Sequence, residues 1–147
     1  MSDTPEEMEK RVEAFEELRS IEEEIENNPE TTWQQELNSK RLKTKGWYGC
    51  IAPNGWEEIV LKADRMLAHI DPDYEIYQIK EKFGTLRYYF GTTRRYDTVE
   101  GGIMYAITTW AEQRSQWTCE SCGKYGELRD DRYWVVTLCD TCNEERR

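Results

Sequence analysis

The chain has one histidine, His69, among 147 residues, and that scarcity excludes several kinds of chemistry at once. One histidine cannot supply an H-N-H nuclease set or the two ligands of an H-E-x-x-H metallohydrolase. The phosphate-cradling loops G-x-x-x-x-G-K-[ST] and G-x-G-x-x-G are missing as well. No window approaches the roughly 18 apolar residues of a membrane span. Met1 to Glu7 is acidic and lacks an apolar run, so no secretory signal is read there. Free cysteines without such a signal point to a reducing cytoplasm. Thirty carboxylates would conceal any acid–base pair, but the other parts of an enzyme are missing, and the chain is expected to be non-enzymatic.

What is abundant is acid and aromatic surface. The net charge is −10, with a very uneven distribution. Residues 1–30 carry twelve acids and three bases, whereas residues 31–147 carry eighteen and seventeen, so the acidity belongs to one segment. Six Trp, nine Tyr and three Phe supply a core despite 34% charged residues.

The most specific pattern lies at the C-terminal end. Cys119 and Cys122 form one C-x-x-C pair, Cys139 and Cys142 a second, and sixteen residues separate them. That spacing is typical of a tetrathiolate zinc site. Two thiolates three residues apart in a turn take two corners of a tetrahedron, and Gly123 lets the turn close. Glu127 to Arg129, a polar turn at Asp130-Asp131, and Tyr133 to Leu138 predict a hairpin that returns the second pair beside the first. Two disulfides fit a cytosolic chain poorly, and a redox C-x-x-C calls for a βαβ setting. Four thiolates leave no open coordination position, so one structural Zn²⁺ is expected, with no catalytic role.

The remaining segments predict an α+β protein with three parts: an acidic amphipathic helix (1–30), a body (31–116) and a zinc unit (117–147). Residues 4–28 read as one helix. Thr4-Pro5-Glu6-Glu7 has the form of a capping box, and Met8, Val12, Phe15, Leu18, Ile21 and Ile25 make a narrow apolar stripe. The stripe suits packing on its own domain, self-association or a partner. Thr32 and Gln35 open a short helix through Leu42, and residues 46–55 read as a loop in which Cys50 packs as a small hydrophobe. Asn54 is the expected cap of a core helix that Pro72 ends, with Trp56, Ile59, Val60, Ala63, Met66, Leu67 and Ile70 on its buried face.

Tyr74–Lys82 and Thr85–Gly91 predict a hairpin turning at Phe83-Gly84. Lys80, Lys82, Arg87, Tyr89, Arg94 and Arg95 form a basic and aromatic set across 78–96 that would suit phosphates and bases. The simpler reading is a solvated sheet face. The last long helix starts near Asp97-Thr98 and runs to Ser115-Gln116, with Val99, Ile103, Ile107, Trp110, Ala111 and Arg114 on one stripe.

The stretch Ile79-Lys80-Glu81-Lys82-Phe83-Gly84-Thr85-Leu86-Arg87-Tyr88-Tyr89, then Ala111-Glu112-Gln113-Arg114-Ser115, then Cys119-Glu120-Ser121-Cys122-Gly123 resembles a group of small phage and prophage proteins. The likeness covers residues 46–142. Many of those proteins end the second metal pair as C-x-x-H, where this chain has Cys142. The resemblance implies a phage setting and a similar fold, and it implies no reaction. Together with the charge split it leads to the expectation of a protein-binding regulator or inhibitor of a host complex in the host cytosol. A nucleic-acid module using 78–96 is the alternative. The acidic balance of residues 117–147, five bases against seven acids, argues against DNA binding by the zinc unit itself.

Overall fold

The computed structural model describes residues 4–13 and 31–146. The chain divides into two compact units, Met1–Thr32 and Trp33–Arg147. In the first, residues 5–13 (α1) are helical. The capping box is present as reciprocal bonds: Thr4 N–H donates to Glu7 Oε2 at 3.2 Å, and Glu7 N–H donates to Thr4 Oγ1 at 3.3 Å. Met8 and Val12 are exposed. The rest of the helix expected over 4–28 lies outside the described residues.

The second unit is mixed α+β. In order it contains α2 (Trp33–Arg41), β1 (Gly49–Cys50), a 3₁₀ turn (Asn54–Trp56), α3 (Glu57–Ile70), β2 (Glu75–Lys82), β3 (Thr85–Gly91), α4 (Val99–Ser115), β4 (Glu127–Arg129), β5 (Val136–Leu138) and α5 (Asp140–Glu145). Strands β1, β2 and β3 form one sheet in that order, with β1 parallel and β3 antiparallel to β2. Strands β4 and β5 form a separate antiparallel pair.

The core lies where α3 and α4 cover one sheet face. Trp56, Val60, Ala63 and Leu67 meet Ile76, Ile79, Leu86, Met104 and Ala111, all fully buried. Removing such side chains from water is the main favourable contribution to folding, about 1.5–3 kcal/mol for each large one. A polar cluster passes through this core. Arg41 pairs with Asp64 at 2.9 Å, Asp64 accepts from the Tyr74 hydroxyl, and Tyr74 meets the Tyr88 hydroxyl at 2.8 Å. It ties α2, α3, the residue just before β2, and β3 together, with no buried polar side-chain atom left unpaired among the described residues.

Several expectations require correction. The 46–55 segment is not all loop, since Gly49-Cys50 pairs with Gln78 and Ile79. A two-residue strand is too short for any period to reveal it. Asn54 does not cap α3. Its Oδ1 accepts from Trp33 Nε1 and Gln34 Nε2, joining α2 to the turn.

Helix α4 buries a face rotated from the expected one: Gly101, Met104, Ile107, Thr108, Ala111 and Ser115 point inward, while Val99 and Ile103 face outward. Small residues decide this. A Cβ on Gly101 would meet Arg95 O at 2.1 Å, and Ser115 Oγ accepts from Leu86 N–H at 2.9 Å. Close backbone approach therefore outweighs the larger apolar side chains. Strand β5 begins at Val136, so Tyr133 and Trp134 lie in the loop, both exposed.

Candidate metal centre and outer sheet face

The four cysteine sulfurs lie within 4.8 Å of one another, and Cys122 Sγ is 3.7 Å from Cys139 Sγ. A tetrahedron with bonds of about 2.3 Å has sulfurs about 3.8 Å apart, so the cluster has the size of a single metal site. Two different local structures position the pairs. The first is a tight turn: Gly123, at φ +81°, donates to Cys119 O at 3.0 Å, and Cys119 N–H donates to Lys124 O at 2.7 Å. The second is a helix start, where Cys139 precedes α5 and its sulfur accepts from Cys142 N–H at 3.4 Å.

Three of the thiols differ in how readily they ionise. Burial pushes Cys119 up, yet backbone N–H groups of Cys139, Cys122 and Ser121 outweigh it and bring the thiol down to about 6. Cys142 is pushed up to about 12, first by its bond to Cys139 and then by desolvation. Cys122 accepts a backbone bond from Lys124 that favours its thiolate. Burial and its bonds to Cys119 and Cys139 outweigh that and leave it raised. Cys119 is thus readier to ionise than Cys122 or Cys142, and a bound metal ion favours the thiolate form of its ligands. The set is compatible with one structural zinc.

The cysteine unit is attached to the body at two places. At the first, Gly55 N–H donates to Glu120 O at 2.8 Å, Trp56 Nε1 donates to Thr118 O at 2.8 Å, and a Cβ on Gly55 would strike Cys119 O at 2.0 Å. The Asn54-Gly55-Trp56 turn is thus the seat of the first knuckle. At the second, Thr137 Oγ1 donates to Gly84 O at 2.6 Å. Phe83 and Gly84 both have positive φ, 53° and 80°, the pattern of a two-residue hairpin turn. Glu81 Oε1 accepts from Gly84 N–H at 2.6 Å, and a Cβ on Gly84 would meet Leu128 Cδ1 at 2.5 Å. The residues Glu81 to Gly84 shape a turn that fits β4 and β5.

Between these contacts lies Glu120, buried, whose carboxylate accepts from Thr137 N–H at 2.5 Å. Desolvation raises it to about 7, against the pull of that bond. Cysteine spacing could locate the sulfurs. Nothing in a single sequence identified Gly55, Glu120 or Thr137 as their supports.

The six basic and aromatic residues do not form one patch. Lys80 and Arg87 are opposite each other on β2 and β3, Lys82 is opposite Thr85, and Tyr89 is opposite Gln78. Since Leu86 and Tyr88 are core, Arg87 and Tyr89 belong to the outer face. Arg94 and Arg95 lie past the other end of β3. Arg94 donates to Ile70 O and pairs with Glu100, while Arg95 pairs with Asp97. Cys50 is buried and desolvation pushes it up to about 11, consistent with a packing role. His69 lies exposed near the end of α3.

No protein-family model matches the chain, and neither a curated protein nor a solved structure is found similar to it. Its class is therefore set by its own architecture: a mixed α+β protein with a cluster of four cysteines near its C-terminal end that could hold a metal ion. Among the described residues, no helix is long and apolar enough to cross a membrane.

Proposed function

We propose that this protein is a small non-enzymatic binding module in which one zinc ion builds shape and the surrounding surfaces engage another macromolecule. The observation that supports this most is the closed set of four sulfurs within 4.8 Å, seated on the body by Gly55 and Gly84. A tetrathiolate zinc has no free position for water or substrate, so its binding energy goes into folding.

Within this reading, residues 1–30 favour a protein partner, because twelve acids and a narrow apolar stripe suit a basic, grooved surface. A regulator or inhibitor of a host complex in the cytosol is the form that the phage-like resemblance gives it. The outer sheet face favours a second reading, nucleic acid, because its Lys80 and Arg87 make no ion pair among the described residues.

Capture from a cell lysate, with and without nuclease and with or without residues 1–30, tests the module. Retention of a specific partner in either arm supports it. Recovery of no partner in any arm, together with turnover of a substrate by the purified protein, overturns it.

A further inference from the structure

The outer face of the β2–β3 hairpin is built in a way that solubility alone does not require. Lys80 and Arg87 are direct cross-strand neighbours, and like charges in that relation disfavour the sheet. Among the described residues neither makes an ion pair, the two carboxylates of the hairpin itself are engaged elsewhere, and Glu112 of α4 accepts from Tyr88 N–H at 3.2 Å. Glu81 accepts from Gly84 N–H, and Glu75 accepts from the Thr44 hydroxyl at 2.9 Å.

Beyond the cations the same face turns aromatic. The register shifts between Ile76 and Gln78, a bulge that sets Tyr77 and Gln78 against Tyr89. Tyr77 lies across Gly91, where a Cβ would fall 2.2 Å from its hydroxyl oxygen. Trp47 stacks on Tyr77 with centroids 4.7 Å apart and planes 22° apart. Trp47 and Tyr89 remain nearly half exposed, at 45% and 46%. These rings border a groove of about 430 Å³ that continues past the edge of β3 to Tyr105.

We propose that this face, from the Trp47–Tyr77 stack and Tyr89 to Lys80 and Arg87, binds single-stranded nucleic acid. Half-exposed rings can accept any base, and two cations that make no ion pair among the described residues can accept successive phosphates. Arg87 and Tyr89 are two residues apart on one strand, about 7 Å, so one cation and one ring address neighbouring positions of an extended strand. A duplex keeps its bases stacked inside and offers the rings nothing. The acidity of the chain does not oppose this locally, since residues 31–147 are nearly balanced.

The inference rests on the binding-module reading and is tested separately from it. Fluorescence anisotropy of labelled single strands of about 20 nucleotides, in DNA and RNA arms with a duplex control, uses the zinc-loaded full chain. Single strands should bind, and duplex at least tenfold more weakly. Log affinity should fall with log salt at a slope of roughly −1.4 for two phosphates. Lys80→Gln with Arg87→Gln should flatten that slope. Tyr89→Ala or Trp47→Ala should weaken binding roughly 5- to 100-fold with the slope kept. Arg94→Gln with Arg95→Gln should change neither, and each variant should melt within a few degrees of the parent.

Absence of binding at about 100 µM strand, or equal affinity for duplex, overturns the inference. So does a nuclease-resistant protein partner lost with Lys80 and Arg87, which would make the face a protein interface and leave the module reading standing.

Discussion

Thr137 and Gly84 are 53 residues apart in the chain and are joined by one buried hydrogen bond, hydroxyl to carbonyl, at 2.6 Å. The contact explains why a hairpin turn with two positive-φ residues sits beside the four-cysteine unit. Gly84 provides the backbone approach, Glu81 closes the turn on its other side, and β5 supplies the hydroxyl. Cysteine cluster and sheet thus share one packing unit.

Removing the hydroxyl should cost stability without touching a metal ligand. Thr137→Val leaves the Gly84 carbonyl buried and unpaired, which costs about 1–3 kcal/mol. Gly84→Ala should cost more, since a side chain at φ +80° is strained and Leu128 occupies the space. Chemical denaturation of the zinc-loaded proteins measures both, and a Thr137→Val protein as stable as the parent would contradict the contact's importance.

Asp71 gives a pH dependence. It caps the end of α3 and accepts from Thr92 Oγ1 at 2.5 Å, Thr93 N–H at 3.0 Å, Thr93 Oγ1 at 3.1 Å and Asp73 N–H at 3.0 Å. Burial pushes its carboxyl up, but these bonds outweigh it and the folded value is lowered. A lowered value means that the stabilisation is complete above the unfolded value, about 3.9, and is lost as pH falls through the folded one. Asp71→Asn should therefore destabilise by about 1–3 kcal/mol near neutrality. The gap should narrow below about pH 4. Paired melts across pH check this, and both proteins carry the same metal site, so acid release of metal cancels in the difference.

Cys50 should be unreactive in the folded protein. It is buried, and desolvation raises its thiol to about 11, so almost no thiolate exists at neutral pH. Alkylation followed by mass mapping should leave Cys50 unlabelled until denaturant is added. Rapid native labelling would contradict its placement.

The two classes of cysteine should separate on substitution. Cys139→Ala removes a ligand and the sulfur that accepts from Cys142 N–H, and should lower the melting temperature sharply and abolish stoichiometric metal. Cys50→Ala removes one small buried group and should retain full metal content, with a modest loss of stability. Strong chelation of the parent should reproduce the first effect. A Cys139→Ala protein that melts like the parent would contradict it.

Much of this organisation was legible in residue order. The C-x-x-C spacing located the sulfurs, the Phe83-Gly84 turn set the hairpin, and the i, i+3, i+4 pattern of Trp56 to Ile70 identified a core helix. What escaped was tertiary in origin. Asn54 has the chemistry of a cap, but Trp33 and Gln34 bind its oxygen. The face of α4 was misjudged because Gly101 and Ser115, which carry almost no hydrophobic signal, decide how closely it packs. The basic set over 78–96 looked continuous, whereas folding pairs Arg95 with Asp97, holds Arg94 against the end of α3, and leaves only Lys80, Lys82 and Arg87 with Tyr89 on the hairpin. Linear proximity describes a strand poorly once alternate residues face opposite ways.

A closed structural site is tested most directly by metal content combined with cobalt substitution in the intact chain. It predicts one zinc per chain and, on exchange, the spectrum of tetrahedral cobalt bound by four thiolates, unchanged by added small anions. Less than stoichiometric metal, or a cobalt spectrum that shifts as an added anion or water enters the coordination sphere, would contradict a closed structural site.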